Sequence, residues 1–392
     1  MKTRKEKKQV IPLPFFYYFF TVASVALVGL FSTIYLAVSH FRVYTDLGYQ
    51  SFCAISHALN CDTVSQSPYS ILMGIPVAIW GIIGYVLFLW LLAYAWQQSA
   101  EKKRIWTLLF LISLGFTVYS VILAFISSYI IHSYCLMCIV CYAVNLLLLY
   151  FTWMVRNRFE CEPFFKALLM DIRYLLGRPV TVIPGASFFC GGLVLLFLFM
   201  PAYWEMDPPE LSSDIPTGMT EDGHPWIGAE NPELVIVEFS DYRCFQCKKM
   251  HYHIRGLISD YPDKIRLVHR HFPMDHTINP IVDTPFHQGS AKLAVISIFA
   301  AEMGKFWEMN DLLYNIPRHT EAINIQELSE QASIPYEKIK YVFRDQQLWN
   351  HLKRDIRAGL QYNLSGTPGF VIEDNVYIGQ IPPGILRERI AF

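Results

Sequence analysis

Five stretches of this 392-residue chain are long and apolar enough to dictate their own conformation: residues 15–38, 71–95, 105–131, 135–155 and 181–200. Crossing a bilayer takes about 20 residues, and a backbone in hydrocarbon must satisfy its own N–H and C=O groups, so each stretch is expected to be a transmembrane helix. Composition agrees, with 53% hydrophobic and only 17% charged residues, and the length allows two or three domains. The third and fourth stretches are separated only by a few residues around His132-Ser133-Tyr134, which predicts a tight helical hairpin. The first stretch is too long for a cleaved signal peptide, and no small-residue cleavage site follows it. No basic patch interleaved with aromatics is present, so no nucleic-acid partner is expected.

Lys and Arg placement sets the orientation. Lys2, Arg4, Lys5, Lys7 and Lys8 precede the first stretch, Lys102, Lys103 and Arg104 follow the second, and Arg156, Arg158, Lys166, Arg173 and Arg178 follow the fourth. The first connection carries only Arg42 and the third carries none. The N-terminus is therefore expected in the cytoplasm and everything after Met200 outside it. This places three cysteine pairs at or beyond the outer surface, where thiols can be oxidised: Cys53 with Cys61, Cys135 with Cys138, and Cys244 with Cys247. Cys141, Cys161 and Cys190 read as ordinary small apolar residues.

From 201 to 232 the chain turns polar and rich in Pro, Gly, Ser, Asp and Glu, which predicts an extended tether. Leu234-Val235-Ile236-Val237-Glu238-Phe239 then reads as a buried strand, 248–259 as a helix and 265–271 as a second strand. Residues 288–360 have helical spacing. Two more strands, at 366–372 and 376–379, precede a last helix after Pro383. That order predicts an α/β sandwich around a small mixed sheet.

Cys244 falls at a helix N-terminus, where unsatisfied amides and the positive end of the helix dipole favour thiolate. It is expected to be the exposed nucleophile, with Cys247, one turn in, as the shielded resolving thiol. A CxxC can instead supply two zinc ligands, but no second Cys pair completes such a site here. His251 and His253 are expected on different helix faces. His269 and His271 share a strand face, as a metal pair or as part of a solvated surface.

The run Glu238-Phe239-Ser240-Asp241-Tyr242-Arg243-Cys244-Phe245-Gln246-Cys247, with Phe272-Pro273 and Gly366-Thr367-Pro368 beyond it, resembles thioredoxin-fold proteins of the DsbA-like branch over roughly residues 225–392. The resemblance implies a cis Pro368 facing the cysteines, Thr367 as the peptide-docking residue, and Glu238 as a buried carboxylate handling protons for Cys247. A surface acid is the plain alternative for Glu238. Phe245-Gln246 replaces the Pro-His of DsbA, leaving oxidising strength open.

Cys53, Cys61, the segment Asp62-Thr63-Val64-Ser65-Gln66-Ser67-Pro68-Tyr69 and Cys135-Leu136-Met137-Cys138 with Tyr142 and Asn145 resemble, across about 15–155, the vitamin K epoxide reductase family. The resemblance implies a four-helix bundle and a quinone, of ubiquinone or menaquinone type. It also implies a relay from reduced or unfolded exported proteins through Cys244/Cys247, Cys53/Cys61 and Cys135/Cys138 to that quinone. Cys138 would face it, and Ser67 and Tyr142 would hydrogen-bond its carbonyls. A helix cap for Ser67 and a bundle aromatic for Tyr142 are the plain readings.

The expected organisation is multi-domain. A basic cytoplasmic segment (1–14) precedes an all-α transmembrane four-helix bundle (15–155). A cytoplasmic connection (156–180), a fifth transmembrane helix (181–200) and a linker (201–232) lead to an α/β thioredoxin-like domain with a helical insertion (233–392). The function expected is that of an integral membrane thiol oxidase, in a bacterial inner membrane with its last domain periplasmic and no metal. The alternatives are a reverse-flow reductant relay, a membrane-anchored metal module, and reduction of a quinone epoxide.

Overall fold

The computed structural model describes residues 13–54, 59–97, 103–160, 162–210, 214–316 and 323–390, and the chain divides into two compact units after Trp204. Cys161, Lys102 and the N-terminal lysines and arginine lie outside the described residues. Among the described residues, five helices are long and apolar enough to cross a membrane: Phe15–Thr45, Val77–Ala95, Trp106–Ile131, Leu136–Glu160 and Pro179–Phe199.

The first unit is built from α1 (Phe15–Thr45), a short α2 (Cys61–Ser65), the strands β1 (Ile71–Leu72) and β2 (Ile75–Pro76), and α3 (Val77–Ala95). It continues through α4 (Trp106–Ile126), α5 (Leu136–Val155), α6 (Phe164–Leu176) and α7 (Pro179–Phe199). The apolar stretch beginning at 71 becomes helical only at Val77. Met73 and Gly74 take left-handed conformations that turn β1 back onto β2, and Pro76 sits at the cap position of α3. Four helices share one core, in which Val22 and Ala26 of α1 meet Tyr85 and Phe88 of α3, Leu109 of α4, and Val144 and Leu148 of α5. In lipid such association depends on close packing rather than on water exclusion. Gly29 illustrates this, because a methyl group there would collide with the Tyr85 ring.

The start of α4 is capped from a distance. Ile105, with φ +76°, offers no side-chain cap, and Asp171 of α6 accepts its N–H at 2.7 Å and that of Leu108 at 3.2 Å. Asp171 is fully buried. This single carboxylate both satisfies helix-end donors and fastens α6 to the bundle. We expect Asp171→Ala to destabilise the unit by about 2 kcal/mol, the scale of a lost charged hydrogen bond, read as a lower unfolding midpoint of the purified protein in detergent.

The second unit contains a six-stranded sheet in the order β3-β4-β6-β5-β7-β8. Its strands are β3 (Thr217–Met219), β4 (Pro225–Gly228), β5 (Leu234–Ser240), β6 (Ile265–His271), β7 (Gly369–Ile372) and β8 (Asn375–Ile378). Only β5 and β6 pair in parallel, joined by α8 (Phe245–Asp260). Between β6 and β7 lies the helical insertion: α9 (Ser290–Glu302), α10 (Phe306–Asn315), α11 (Ile325–Gln331), α12 (Tyr336–Ile339) and α13 (Gln346–Gln361). A final helix, α14 (Pro383–Ile390), follows β8.

The segment 201–232, expected to be a tether, contains β3 and β4. Trp226 pairs with Val268 and Ile227 with Leu267, so β4 covers the edge of β6. Four residues ending in Gly and beginning with Pro have the composition of a turn, and only pairing with β6 makes them a strand.

Candidate active site

In the second unit, β5 delivers the chain to Asp241, which organises the turn before α8. Its buried carboxylate accepts the N–H groups of Arg243 and Met274, each at 2.6 Å, and lies 2.9 Å from His287 Nδ1. Cys244 follows in an extended conformation as the N-cap of α8, and its Sγ accepts the Cys247 N–H at 3.4 Å. The Cys244 thiol also reaches the Thr367 carbonyl at 3.4 Å, and the Thr367–Pro368 bond is cis. Cys244 is half-buried rather than fully exposed, and Cys247 is completely buried.

The two thiols are driven apart electrostatically. The hydrogen bond from Cys247 lowers the Cys244 pKa, burial opposes this, His287 adds to the lowering, and the result is about 6. Burial pushes Cys247 well above the ordinary thiol range. A thiolate-ready outer cysteine beside a protonated inner one is the arrangement a disulfide-exchange pair needs.

Glu238 is not a surface acid: it is fully buried, with Oε2 2.7 Å from His251 Nδ1 and 3.5 Å from His269 Nδ1. Burial raises its pKa, but the two histidines outweigh burial and hold it at about 2. His269 and His271 do not face solvent either; both are buried, because β6 lies inside the sheet beneath the helical insertion. Donor atoms of Glu238, His251 and His269 lie within 4.8 Å of one another, as do those of His224, His351 and Asp355. In each group two donors sit at hydrogen-bond distance from each other, 2.7 Å for His251–Glu238 and 2.6 Å for His224–Asp355.

The first unit repeats the N-cap geometry. Cys135 precedes α5 in an extended conformation, and its Sγ accepts the Cys138 N–H at 3.2 Å. Cys53 and Cys61 form a disulfide that packs with Cys135 in one buried cluster, with Leu36, Val64 and Cys138 against it. The loop is held there by Asn60. Its N–H donates to the Tyr134 carbonyl at 2.9 Å, and its side chain accepts the Asp62 and Thr63 amides that start α2.

Cys138 looks the other way, into a cavity of about 340 Å³ inside the first unit. Ser67, Tyr142, Asn145, Tyr85, Ser120 and His40 are among its polar lining residues, set among apolar side chains. A mainly apolar chamber with few polar groups, of roughly 300–1,000 Å³, is what a small-molecule site requires. Ser67 does not cap a helix with its side chain; its hydroxyl donates to the Val64 carbonyl at 2.8 Å. Sequence reasoning did not single out Tyr85, Ser120 or His40 among the lining residues. Tyr85 donates to Asn145 Oδ1 at 2.7 Å, and Asn145 Nδ2 donates to Ser120 at 2.8 Å, while His40 lies 2.7 Å from the Tyr203 hydroxyl. The available signal was polar side chains inside apolar helices, which are costly in lipid unless they face one another or a cavity. Cys141 also lines this chamber, whereas Cys190 is exposed on α7.

A bundle of helices long and apolar enough to cross a membrane, with a CxxC beside a disulfide, and a separate α/β unit with its own CxxC define a thiol–disulfide oxidoreductase. Residues 20–153 match the vitamin K epoxide reductase family, and residues 220–390 match a thioredoxin family. The chain thus carries a vitamin K epoxide reductase family domain followed by a thioredoxin-fold domain. Curated relatives include the Na(+)/H(+) antiporters NhaA 3 of Salinispora tropica and NhaA 1 of Salinispora arenicola, 26% and 24% identical over 152 residues. These matches cover 39% of this chain but only 22% of each relative. Among solved structures, a thioredoxin-like oxidoreductase from Silicibacter pomeroyi is 20% identical with a TM-score of 0.36, covering 44% of this chain and 92% of that one. BdbD from Bacillus subtilis in its oxidised form is 20% identical with a TM-score of 0.35, covering 46% and 97%.

Alkylation of the reduced protein tests the Cys244 environment. Only thiolate reacts, so the rate should be flat above pH 7 and fall with a midpoint of about 6. His287→Ala removes a contribution that favours thiolate, so the midpoint should move upward.

Proposed function

We propose that this chain is a quinone-dependent protein-thiol oxidase that makes disulfides in exported proteins. The observation that carries this reading is the position of Cys135 and Cys138. The first packs against the Cys53–Cys61 disulfide, and the second lines the cavity. Electrons entering through the loop pair thus have a covalent route to a small molecule without crossing open solvent.

In this reading a substrate thiolate attacks Cys244, and the Cys244–Cys247 disulfide opens. The reduced pair is reoxidised by Cys53–Cys61, and the reduced loop pair by a Cys135–Cys138 disulfide. A quinone, when bound, supplies the final acceptor for two electrons and two protons. The chamber's polar residues fit its head group, with Tyr142 and Ser67 positioned to orient it and the apolar walls excluding water. The type of quinone, ubiquinone or menaquinone, follows from the host membrane. The Lys and Arg distribution supports a cytoplasmic N-terminus and a periplasmic thioredoxin domain in a bacterial inner membrane. Antiport, the activity in the relatives' names, is not carried over, because the shared segment is 22% of those chains.

The test is quinone reduction by the purified full-length protein with a reduced unfolded substrate and a soluble quinone analogue. Substrate-dependent reduction is expected, and Cys138→Ala should abolish it. A native protein whose Cys244–Cys247 pair exchanges with thiols but never reduces quinone would overturn the oxidase reading in favour of reverse flow. Tyr142→Phe should raise the quinone concentration for half-maximal rate about fivefold, the loss of one neutral hydrogen bond.

A further inference from the structure

The sequence of β6 alternates so that His269 and His271 share a face, and that face is closed over by the helical insertion, with Phe306 5.2 Å from the His269 ring. His251 lies four residues after Cys247 on α8, hence on the same helix face, and both are fully buried. Tyr314, bonded to Ser240, lies in the electrostatic reach of both Glu238 and Cys247. Burying so many ionisable groups in one core is unfavourable unless they are paired, and apolar residues would stabilise the same volume better.

The groups form a file. Glu238 Oε2 is 2.7 Å from His251 Nδ1 and 3.5 Å from His269 Nδ1. The His269 and His271 rings meet edge to face with centroids 4.9 Å apart. His271 Nδ1 is 3.2 Å from Asp355 Oδ2, and Asp355 Oδ1 is 2.6 Å from His224 Nε2. His224 Nδ1 is 3.1 Å from Asp222, whose side chain is 56% exposed. Within this file His269 stands out: it is fully buried, and neither ring nitrogen has a hydrogen-bond partner among the described residues.

We propose that this histidine–carboxylate file conducts the proton that Cys247 gains and loses in each turnover between the buried thiol and the surface at Asp222, with His269 as the moving link. The proposal rests on Cys244–Cys247 acting as an exchange pair. When a substrate thiolate forms a bond to Cys244 Sγ, the Cys244–Cys247 bond breaks, and Cys247 leaves as a thiolate that takes up one proton. The substrate's second thiolate then attacks its own bonded sulfur, so the substrate leaves as a disulfide and Cys244 is freed as a thiolate. That thiolate opens the reoxidising disulfide, Cys53–Cys61 in the present reading, into a mixed disulfide. In the return step the Cys247 thiol gives up its proton and attacks Cys244 Sγ, closing the Cys244–Cys247 bond and expelling the bonded sulfur of the loop pair as a thiolate. One proton enters and one leaves, and the electrons stay on sulfur.

The environment suits this task. Glu238 from β5, His251 from α8, Asp355 from α13 and His271 from its own strand face His269, with Tyr242 stacked beside it. Burial lowers the His269 pKa against the pull of Glu238, favouring a neutral imidazole that can take a proton at one nitrogen and release one at the other. Asn310 donates to His251 Nε2 at 3.0 Å, which leaves Nδ1 to carry the hydrogen toward Glu238.

The experiment is single-turnover oxidation of a reduced dithiol peptide by the oxidised full-length protein, in H2O and D2O from pH 5 to 9. Two variants are compared with the native protein, His269→Leu in the core and His224→Gln near the surface, where folding is less at risk. Both should slow the step about tenfold near pH 7 with a larger solvent isotope effect, and imidazole should restore the His224→Gln rate. Variants with native unfolding midpoints, rates and isotope effects would overturn the relay. So would stoichiometric zinc held by Glu238, His251 and His269 in the native protein. A native protein that does not exchange with the peptide at all would instead sink the redox reading of Cys244–Cys247, and the relay with it.

Discussion

A cysteine sulfur that accepts an amide N–H at the first turn of a helix is the interaction on which both halves of this protein depend. Cys244 and Cys135 each sit in extended conformation at an N-cap and receive the N–H of the cysteine three residues on. The geometry stabilises negative charge on the N-cap sulfur. In the α/β unit the second cysteine, Cys247, is the buried one, whereas in the bundle Cys135 is buried and Cys138 opens onto the cavity. The same local device serves in two solvents. In the α/β unit it faces Thr367 and the cis Pro368, and in the bundle it faces the Cys53–Cys61 disulfide.

The surroundings of each pair are set by how polar groups are paid for in its solvent. In the bundle, the buried polar side chains mostly bond to one another or line a cavity, as with Tyr85, Asn145 and Ser120. In the α/β unit, histidines and carboxylates are buried against one another, as with Glu238 and His251 and with His271 and Asp355. Asp171 at the α4 terminus and Asp241 before α8 do comparable work, each carboxylate satisfying two backbone amides, both of them distant in sequence for Asp171 and one local (Arg243) and one distant (Met274) for Asp241.

Much of this was legible before any coordinates. Apolar length announced the spanning helices, and alternating β-formers announced β5 and β6. Less was legible where pairing rather than composition decides. Pro225–Gly228 reads as linker and becomes a strand only against β6. The start of the second apolar stretch reads as helix, yet folds as a two-residue hairpin because Met73 and Gly74 turn left-handed. His269 and His271 show alternation but not which side of the sheet is covered, so a solvated face and a buried one look alike in one dimension.

By itself the sequence determined the local chemistry: which segments must be helical in a membrane, where a CxxC meets a helix start, and the order of domains along the chain. These follow from short-range rules of hydrogen bonding and periodicity. Only the tertiary structure decided which cysteines share a cluster, which residues enclose the chamber beside Cys138, and that Glu238 is bonded to His251 with His269 beside it. Those relations link residues far apart in the chain, and nothing in local propensity encodes which distant partner satisfies a buried polar atom.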